Sequence, residues 1–199
     1  VYLTDVRIPD DNRIGEVGEG WRASLTTLMN ERTTIGGGGA PKRGSGPIEA
    51  LTEVWKAAAD HQRTPERLDR VMDLWIRAET LRLTNIRAGQ NRRAGNPGPE
   101  GSVAKLAYAE LNKEIFETCI DLLGPAGLVD YDFTFRRPEA LSTEGLENGV
   151  GHAFLRVRAN SIEGGTSEIM RNILGEQVLG LPGEPRVDKE VPWVDVPRN

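Results

Sequence analysis

The sequence predicts an all-α fold: an up-and-down helical bundle preceded by one residual β-strand. Three observations carry this. Six stretches repeat apolar residues at the i, i+3, i+4, i+7 spacing of an amphipathic helix. Glycine and proline clusters fall between those stretches. Only the opening segment alternates as a strand does. Helices of this kind bury their apolar stripes against one another, leaving grooves for ligands and outer faces for other subunits.

The strand carries Val1, Leu3, Val6 and Ile8 and ends at the turn Pro9-Asp10-Asp11-Asn12. The first helix follows Gly15, Gly18 and Gly20 and carries Trp21, Leu25, Leu28 and Met29. It stops at the glycine run 36–39, and residues 36–47, with Pro41 and Pro47, read as a linker. The second helix carries Ile48, Leu51, Trp55 and Ala58. The third starts after Pro65, a favourable first-turn residue, and carries Leu68, Val71, Met72, Trp75, Leu83 and Ile86 before Asn96-Pro97-Gly98-Pro99 ends it. The fourth runs from Ser102, as its cap, to Leu123, and Gly124-Pro125-Ala126-Gly127 stops it. Residues 128–143 are irregular. The fifth carries Val150, Phe154 and Val157; the sixth carries Ile169, Ile173 and Leu174. The domain reading is therefore 1–14 as the end of a preceding β-domain, 15–181 as the bundle and 182–199 as an extended tail. The start at Val1 rather than Met leads to the expectation that this is the C-terminal part of a longer protein.

Composition narrows the function. The net charge of −5 argues against a nucleic-acid partner. Cys119 is the only cysteine, so no disulfide framework or cysteine metal cluster is expected, which fits a cytoplasmic protein. No apolar run spans a bilayer. His61 and His152 lack metal-ligand spacing, and no metal site is expected. The glycine run 36–39 follows no strand, so it is not a dinucleotide fingerprint. No nucleophile elbow or Walker loop is present.

Charged residues at apolar register positions are more informative. Arg32 falls inside the first helix's stripe with Glu31 at its edge, and a charge buried there needs a partner. Glu79 and Arg82 interrupt the third stripe at i, i+3, the spacing of an intrahelical ion pair. Between the last two helices stands Ile162-Glu163-Gly164-Gly165-Thr166-Ser167-Glu168. The glycine pair lets backbone approach a ligand closely, and Thr166 is placed to cap the sixth helix, whose free N–H groups favour an anion.

Taken in order, these segments resemble the C-terminal half of an acyl-CoA dehydrogenase. The matching stretches are Asp5-Val6-Arg7-Ile8-Pro9, Gly15 to Trp21, Ser102-Val103-Ala104-Lys105, Leu122 to Leu128, and Ile162-Glu163-Gly164-Gly165-Thr166. The resemblance implies α,β-dehydrogenation of an acyl-CoA thioester, with FAD as cofactor, a carboxylate as base, an electron-transfer flavoprotein as electron acceptor, and a homo- or hetero-oligomer, dimer or tetramer. Most relatives carry the base directly before the Gly-Thr pair, where this chain has Gly164. A branch resembling isovaleryl- and long-chain acyl-CoA dehydrogenases carries it on the first helix, before an Arg. Glu31 before Arg32 matches that branch and is the expected base; Glu163 is the rival. The resemblance assigns Thr166 and Glu168 to the FAD adenosine or pyrophosphate, and Gly124, Gly127 and Asp121 to a turn that meets the flavin of a neighbouring subunit. The family's pyrophosphate-binding Arg segment is replaced by His61-Gln62-Arg63-Thr64-Pro65. That departure leaves a second reading open, a non-catalytic partner subunit, and a third, a different flavin reaction on the same fold. Small residues near Gly164 favour a bulky or branched acyl group. The chain alone is expected to bind FAD weakly or not at all and to lack dehydrogenase activity.

Overall fold

The computed structural model describes residues 2–35, 42–95, 98–129, 149–183, 185–186, 188 and 191–196; the side chains of 29–35 and of 193 lie outside the description. Among the described residues six α-helices form the fold: α1 (Gly20–Ile35), α2 (Pro47–Ala57), α3 (Pro65–Arg93), α4 (Glu100–Leu123), α5 (Gly149–Arg156) and α6 (Ser167–Ile173). A 3₁₀ turn, Gly124–Leu128, follows α4; another, Val157–Ser161, continues α5; and a π turn, Leu174–Val178, continues α6. No helix among the described residues is long and apolar enough to cross a membrane.

The expected strand is not formed. Residues 2–9 are irregular, Asp5 has φ 52°, and Leu3, Val6 and Ile8 are exposed. A strand is completed by its ladder partner, and the described residues hold none.

The bundle is organised around α4, which packs against α2, α3, α5 and α6 and more lightly against α1. Its sequence suits a central position. Ala104 and Ala109 let neighbours approach closely, while Leu111, Ile115, Phe116, Cys119 and Leu122 fill the space between them. Leu51 of α2, Leu74 of α3 and Val157 complete the core. Burial pushes the Cys119 thiol up to about 12, so it is a packing residue and not a nucleophile. Ser102 does not cap α4. The helix begins earlier, at Glu100, with Pro99 as its cap residue; the Glu100 carboxylate accepts from its own backbone N–H and from Asn91 Nδ2 at 2.6 Å. A first-turn carboxylate serves the helix dipole that a Ser cap would otherwise have served.

Charged pairs then set how α3 lies. Arg77 grips Glu114 of α4 in a two-pronged contact at 2.8 and 2.6 Å, and Arg70 donates to Thr118 at 3.1 Å. The Glu79–Arg82 pair forms as its spacing predicts, at 2.8 Å on both prongs. Arg43 joins it, 3.7 Å from Glu79 and stacked 4.8 Å from the Trp75 ring, latching the segment before α2 onto α3. By contrast, Trp21, Leu25 and Leu28 of α1 are exposed, Trp21 by 75%. The apolar stripe read from the sequence is a helix face that the described residues leave uncovered.

The core predicts its own test. Phe116 is 1% exposed at the centre of the bundle. Phe116→Ala should cost about 3–5 kcal/mol in urea unfolding, the range for deleting a buried aromatic ring.

Candidate functional site

The double-glycine loop, residues 162–166, is held by a side chain from the middle of the bundle. Lys105 of α4 is 4% exposed, yet carries an ammonium. Its Nζ donates to the backbone carbonyl of Asn160, at 3.0 Å, and to that of Gly165. Asn160 precedes the loop and Gly165 lies within it, so one side chain ties the loop to the turn before it. Burying an unpaired ammonium costs several kcal/mol. Here desolvation lowers the Lys105 pKa, while the field of Glu163, Glu110 and Glu168 opposes that shift.

A second layer of polar contacts fixes the same loop. Asn160, 3% exposed, donates from Nδ2 to Glu163 Oε1 at 2.8 Å and accepts on Oδ1 from Asn112 Nδ2 at 3.4 Å. Arg156 Nη2 donates to both Glu163 oxygens, at 2.9 and 3.2 Å. Ser167, at the start of α6, donates to Glu110 of α4 at 2.7 Å, and Lys113 pairs with Glu110 at 2.9 Å. The loop thus joins α4, α5 and α6. Sequence reasoning named Lys105 only within a motif and missed Asn112, Arg156 and Asn160. The available signal was a register one: Lys105 and Asn112 share the α4 face of Ala109 and Phe116.

The glycines are required by the backbone. Gly164 has φ 64° and Gly165 φ 99°, where side chains are disfavoured. A Cβ on Gly165 would also stand 2.7 Å from Met170 Cε. Gly164 therefore has a conformational reason to be glycine.

The predicted site residues fall in three places. Glu31 lies in α1, and its side chain is outside the described residues. Glu163 is in the loop but committed to Arg156 and Asn160; desolvation raises its pKa, and those hydrogen bonds outweigh it, holding the carboxyl below its ordinary value. Thr166 caps α6, its Oγ1 accepting from the Ile169 N–H at 3.2 Å, and the Glu168 side chain beside it is 76% exposed. Gly124, Gly127 and Asp121 sit at the far end of α4. Asp121 is eleven residues beyond Glu110, about 16 Å along the helix, so the chain does not bring the two groups together. Gly124, at φ 57°, instead meets the 60–64 segment: a Cβ there would lie 3.5 Å from Gln62 Nε2. Arg63, next to Gln62, pairs with Asp60.

Residues 18–179, from the approach to α1 through the π turn, match the family described as acyl-CoA dehydrogenase, C-terminal domain. This chain belongs to that family. The acyl-CoA dehydrogenase IpdE1 of Mycobacterium tuberculosis is 31% identical over 190 residues, covering 94% of this chain and 44% of that protein. The ChsE4-ChsE5 complex of Mycobacterium tuberculosis has a chain of the same fold at a TM-score of 0.66 and 26% identity, covering 92% of this chain and 46% of that one. A steroid acyl-CoA dehydrogenase, Tcur3481-Tcur3483, shares the fold at a TM-score of 0.69 and 22% identity, over 92% of this chain and 45% of that one. The chain spans less than half the length of these relatives. In this acyl-CoA dehydrogenase domain, two motifs far apart in sequence touch: Lys105 of the Ser-Val-Ala-Lys segment grips Gly165 of the Glu-Gly-Gly-Thr segment.

Two outcomes follow. Lys105→Met should lower stability by about 3 kcal/mol, because two buried carbonyls lose their donor, and hydrogen exchange should show the loss of protection concentrated in residues 160–170. The second concerns acid. Glu163, Glu110 and Glu114 all have folded pKa values below their ordinary ones: Glu163 through Arg156 and Asn160 against desolvation, Glu110 first through Ser167, and Glu114 first through Arg77. Their stabilisation is complete above the ordinary carboxyl pKa and is lost as pH falls through the folded values. Unfolding midpoints measured from about pH 7 to about pH 3 should fall, and less steeply in Glu163→Gln than in the parent.

Proposed function

We propose that this chain is the helical half of a flavin-dependent acyl-CoA dehydrogenase, desaturating an acyl-CoA thioester between its α and β carbons, with Glu31 as the base. The observation that carries this reading is the state of the double-glycine loop. Gly164 has no side chain, and the Glu163 carboxylate is held ionised by Arg156 and Asn160. A base that must collect a weakly acidic α-proton needs a carboxylate raised toward working pH, not one lowered by a guanidinium. The loop therefore offers backbone rather than a base. The acid comes from α1, where Glu31 precedes Arg32.

The residues fit the adenosine half of FAD better than its pyrophosphate. The exposed Glu168 carboxylate can accept from ribose hydroxyls or an adenine amino group. A pyrophosphate there would face Glu168 and Glu110, and the neighbouring Arg171 already stands 3.7 and 3.9 Å from those two carboxylates. At the other end of α4, Arg63 is paired with Asp60 and Asp121 is exposed. Thr166 and Glu168 are thus the residues that would hold the cofactor here, with Gly124 and Gly127 facing a neighbouring subunit's flavin. Bound FAD supplies the hydride acceptor. The chain's own part is to take the α-proton onto Glu31 and, through Lys105, to hold the loop backbone where developing charge on the thioester oxygen needs donors.

The same reading assigns residues 1–14 to the end of an upstream β-domain and 182–199 to a tail. It also assigns a cytoplasmic location, an electron-transfer flavoprotein as acceptor, and a homo- or hetero-oligomer. Small residues near Gly164 favour a bulky or branched acyl group. A second reading, a non-catalytic partner subunit, is favoured by the carboxylates Glu168 and Asp121 at positions the resemblance gives to flavin.

Glu31→Gln in the full-length protein with its natural partner separates them. Turnover should fall about 10³-fold and α-proton exchange should cease, while Glu163→Gln retains turnover within a few-fold. Unchanged turnover and exchange in Glu31→Gln would remove Glu31 as the base. Absence of any flavin in the purified parent assembly would favour the partner-subunit reading.

A further inference from the structure

Arg156, the last residue of α5, serves one partner. Its Nη2 donates to both oxygens of Glu163, and only 23% of the Arg156 side chain and 30% of the Glu163 side chain are exposed. Among the described residues the guanidinium has no other acceptor, and its Nη1 is buried without one. A buried donor without an acceptor destabilises a fold, so packing alone does not account for an arginine here. What the arginine secures is Glu163.

Glu163 is the only acid in the double-glycine loop, and Gly164 follows it directly, about 3.8 Å away between α-carbons. Lys105 fixes the backbone of that loop, so a group held beside the loop is held close to this carboxyl. Arg156 engages both carboxyl oxygens, and Asn160 Nδ2 engages one of them. The charges acting on Glu163 are Arg156 from α5 and Lys105 from α4; Glu110 of α4 and Glu168 of α6 act on Lys105. Burial is the largest influence on the Glu163 carboxyl and favours its neutral form, and the two donors and two cations together outweigh it. Without Arg156 the remaining cation is Lys105, already committed to two carbonyls. Burial then prevails, and the carboxyl becomes a proton acceptor matched to working pH.

We propose that Arg156 is a positioning residue that selects the base: by holding Glu163 in a fixed ion pair it excludes a second carboxyl from proton transfer beside the double-glycine loop. That selection rests on Glu31 being the base, as proposed above. Released from Arg156, Glu163 takes the same step. The substrate's α C–H bond breaks, its proton passes to the Glu163 carboxylate, and the enolate takes a deuteron back from deuterated solvent, so exchange consumes no oxidant.

Alpha-proton exchange by the full-length protein with its natural partner, in deuterated buffer, tests this with straight-chain and branched acyl-CoA thioesters as probes. Glu31→Gln should be silent. Adding Arg156→Met should raise exchange at least about tenfold above that baseline, and adding Glu163→Gln as well should return it there. Arg156→Lys in place of Arg156→Met keeps the cation and should leave exchange silent. In Glu31→Gln, Arg156→Met the rate should climb with pH through a carboxyl pKa above the ordinary value, which a merely structural arginine would not produce. Arg156→Gln keeps a donor without the charge and carries the same test if the Met variant does not fold. No Glu163-dependent exchange in a folded Arg156 variant would overturn the proposal, as would exchange in Glu31→Gln that depends on Glu163 while Arg156 is intact.

If Glu31→Gln exchanges independently of Glu163, the Glu31 reading fails, and unfolding midpoints decide the role of Arg156 separately. With Arg156 intact the folded pKa of Glu163 lies below its ordinary value, so its contribution to stability grows as pH rises from about 3 to about 7. In Arg156→Gln the folded pKa should lie above the unfolded one, so the contribution is present at low pH and is lost as pH rises. Comparing Arg156→Gln with Arg156→Gln, Glu163→Gln should show that reversed sign; an unreversed sign would overturn the proposal.

Discussion

One buried ammonium organises the functional end of this domain. Lys105 lies in the middle of a packed helix, where a lysine is tolerated only if its charge is fully engaged. Its two acceptors are the main-chain carbonyls of Asn160, just before the double-glycine loop, and of Gly165 within it. The loop cannot widen, close or slide without stranding that charge. Asn160, Asn112, Arg156 and Glu163 form a polar layer around it, joined by hydrogen bonds, with Arg156 Nη1 buried and unpartnered among the described residues. Shared hydrogen bonds of this kind hold the loop's backbone in place.

That rigidity has a chemical consequence. Glu163, one residue before the glycine pair, is part of the scaffold because its carboxylate is matched to a guanidinium. Gly164 and Gly165 provide conformation and not side-chain chemistry. On the proposed function, chemistry beside this loop combines its backbone with a reactive group from another element. The family to which the chain belongs gives that arrangement a meaning, and the Glu31-Arg32 pair on α1 gives it a candidate.

The bundle is also unevenly covered. Around α4 the packing is dense, with Leu51, Leu74, Ile115 and Leu122 almost entirely hidden. Outward, α1 shows Trp21 and Leu25, and α3 shows a second apolar stripe. Exposed apolar residues scattered singly need no explanation, but two helices with aligned ones indicate surfaces that meet something else. The chain spans less than half the length of the relatives it matches.

Much of the architecture was legible in the residues. Periodicity located all six helices, Thr166 was recognised as a cap, and Glu79–Arg82 as an intrahelical pair, because helix spacing, capping and i, i+3 contacts are local and depend on a few consecutive residues. Family membership was legible for a related reason: its motifs sit at turns and helix starts, where backbone geometry restricts residue choice. Residues 2–9 form no strand among the described residues because alternation records only a preference, and a strand exists only with a partner. The start of α4 was misread because Glu100 and Ser102 are both acceptable first-turn chemistry. What only the tertiary structure decided was which charges are engaged. That Lys105 reaches across to Gly165, that Glu163 is neutralised by Arg156, and that α3 keeps a bare apolar face all depend on residues brought together from distant positions, and a buried charge acquires its role from the partner that the fold places beside it.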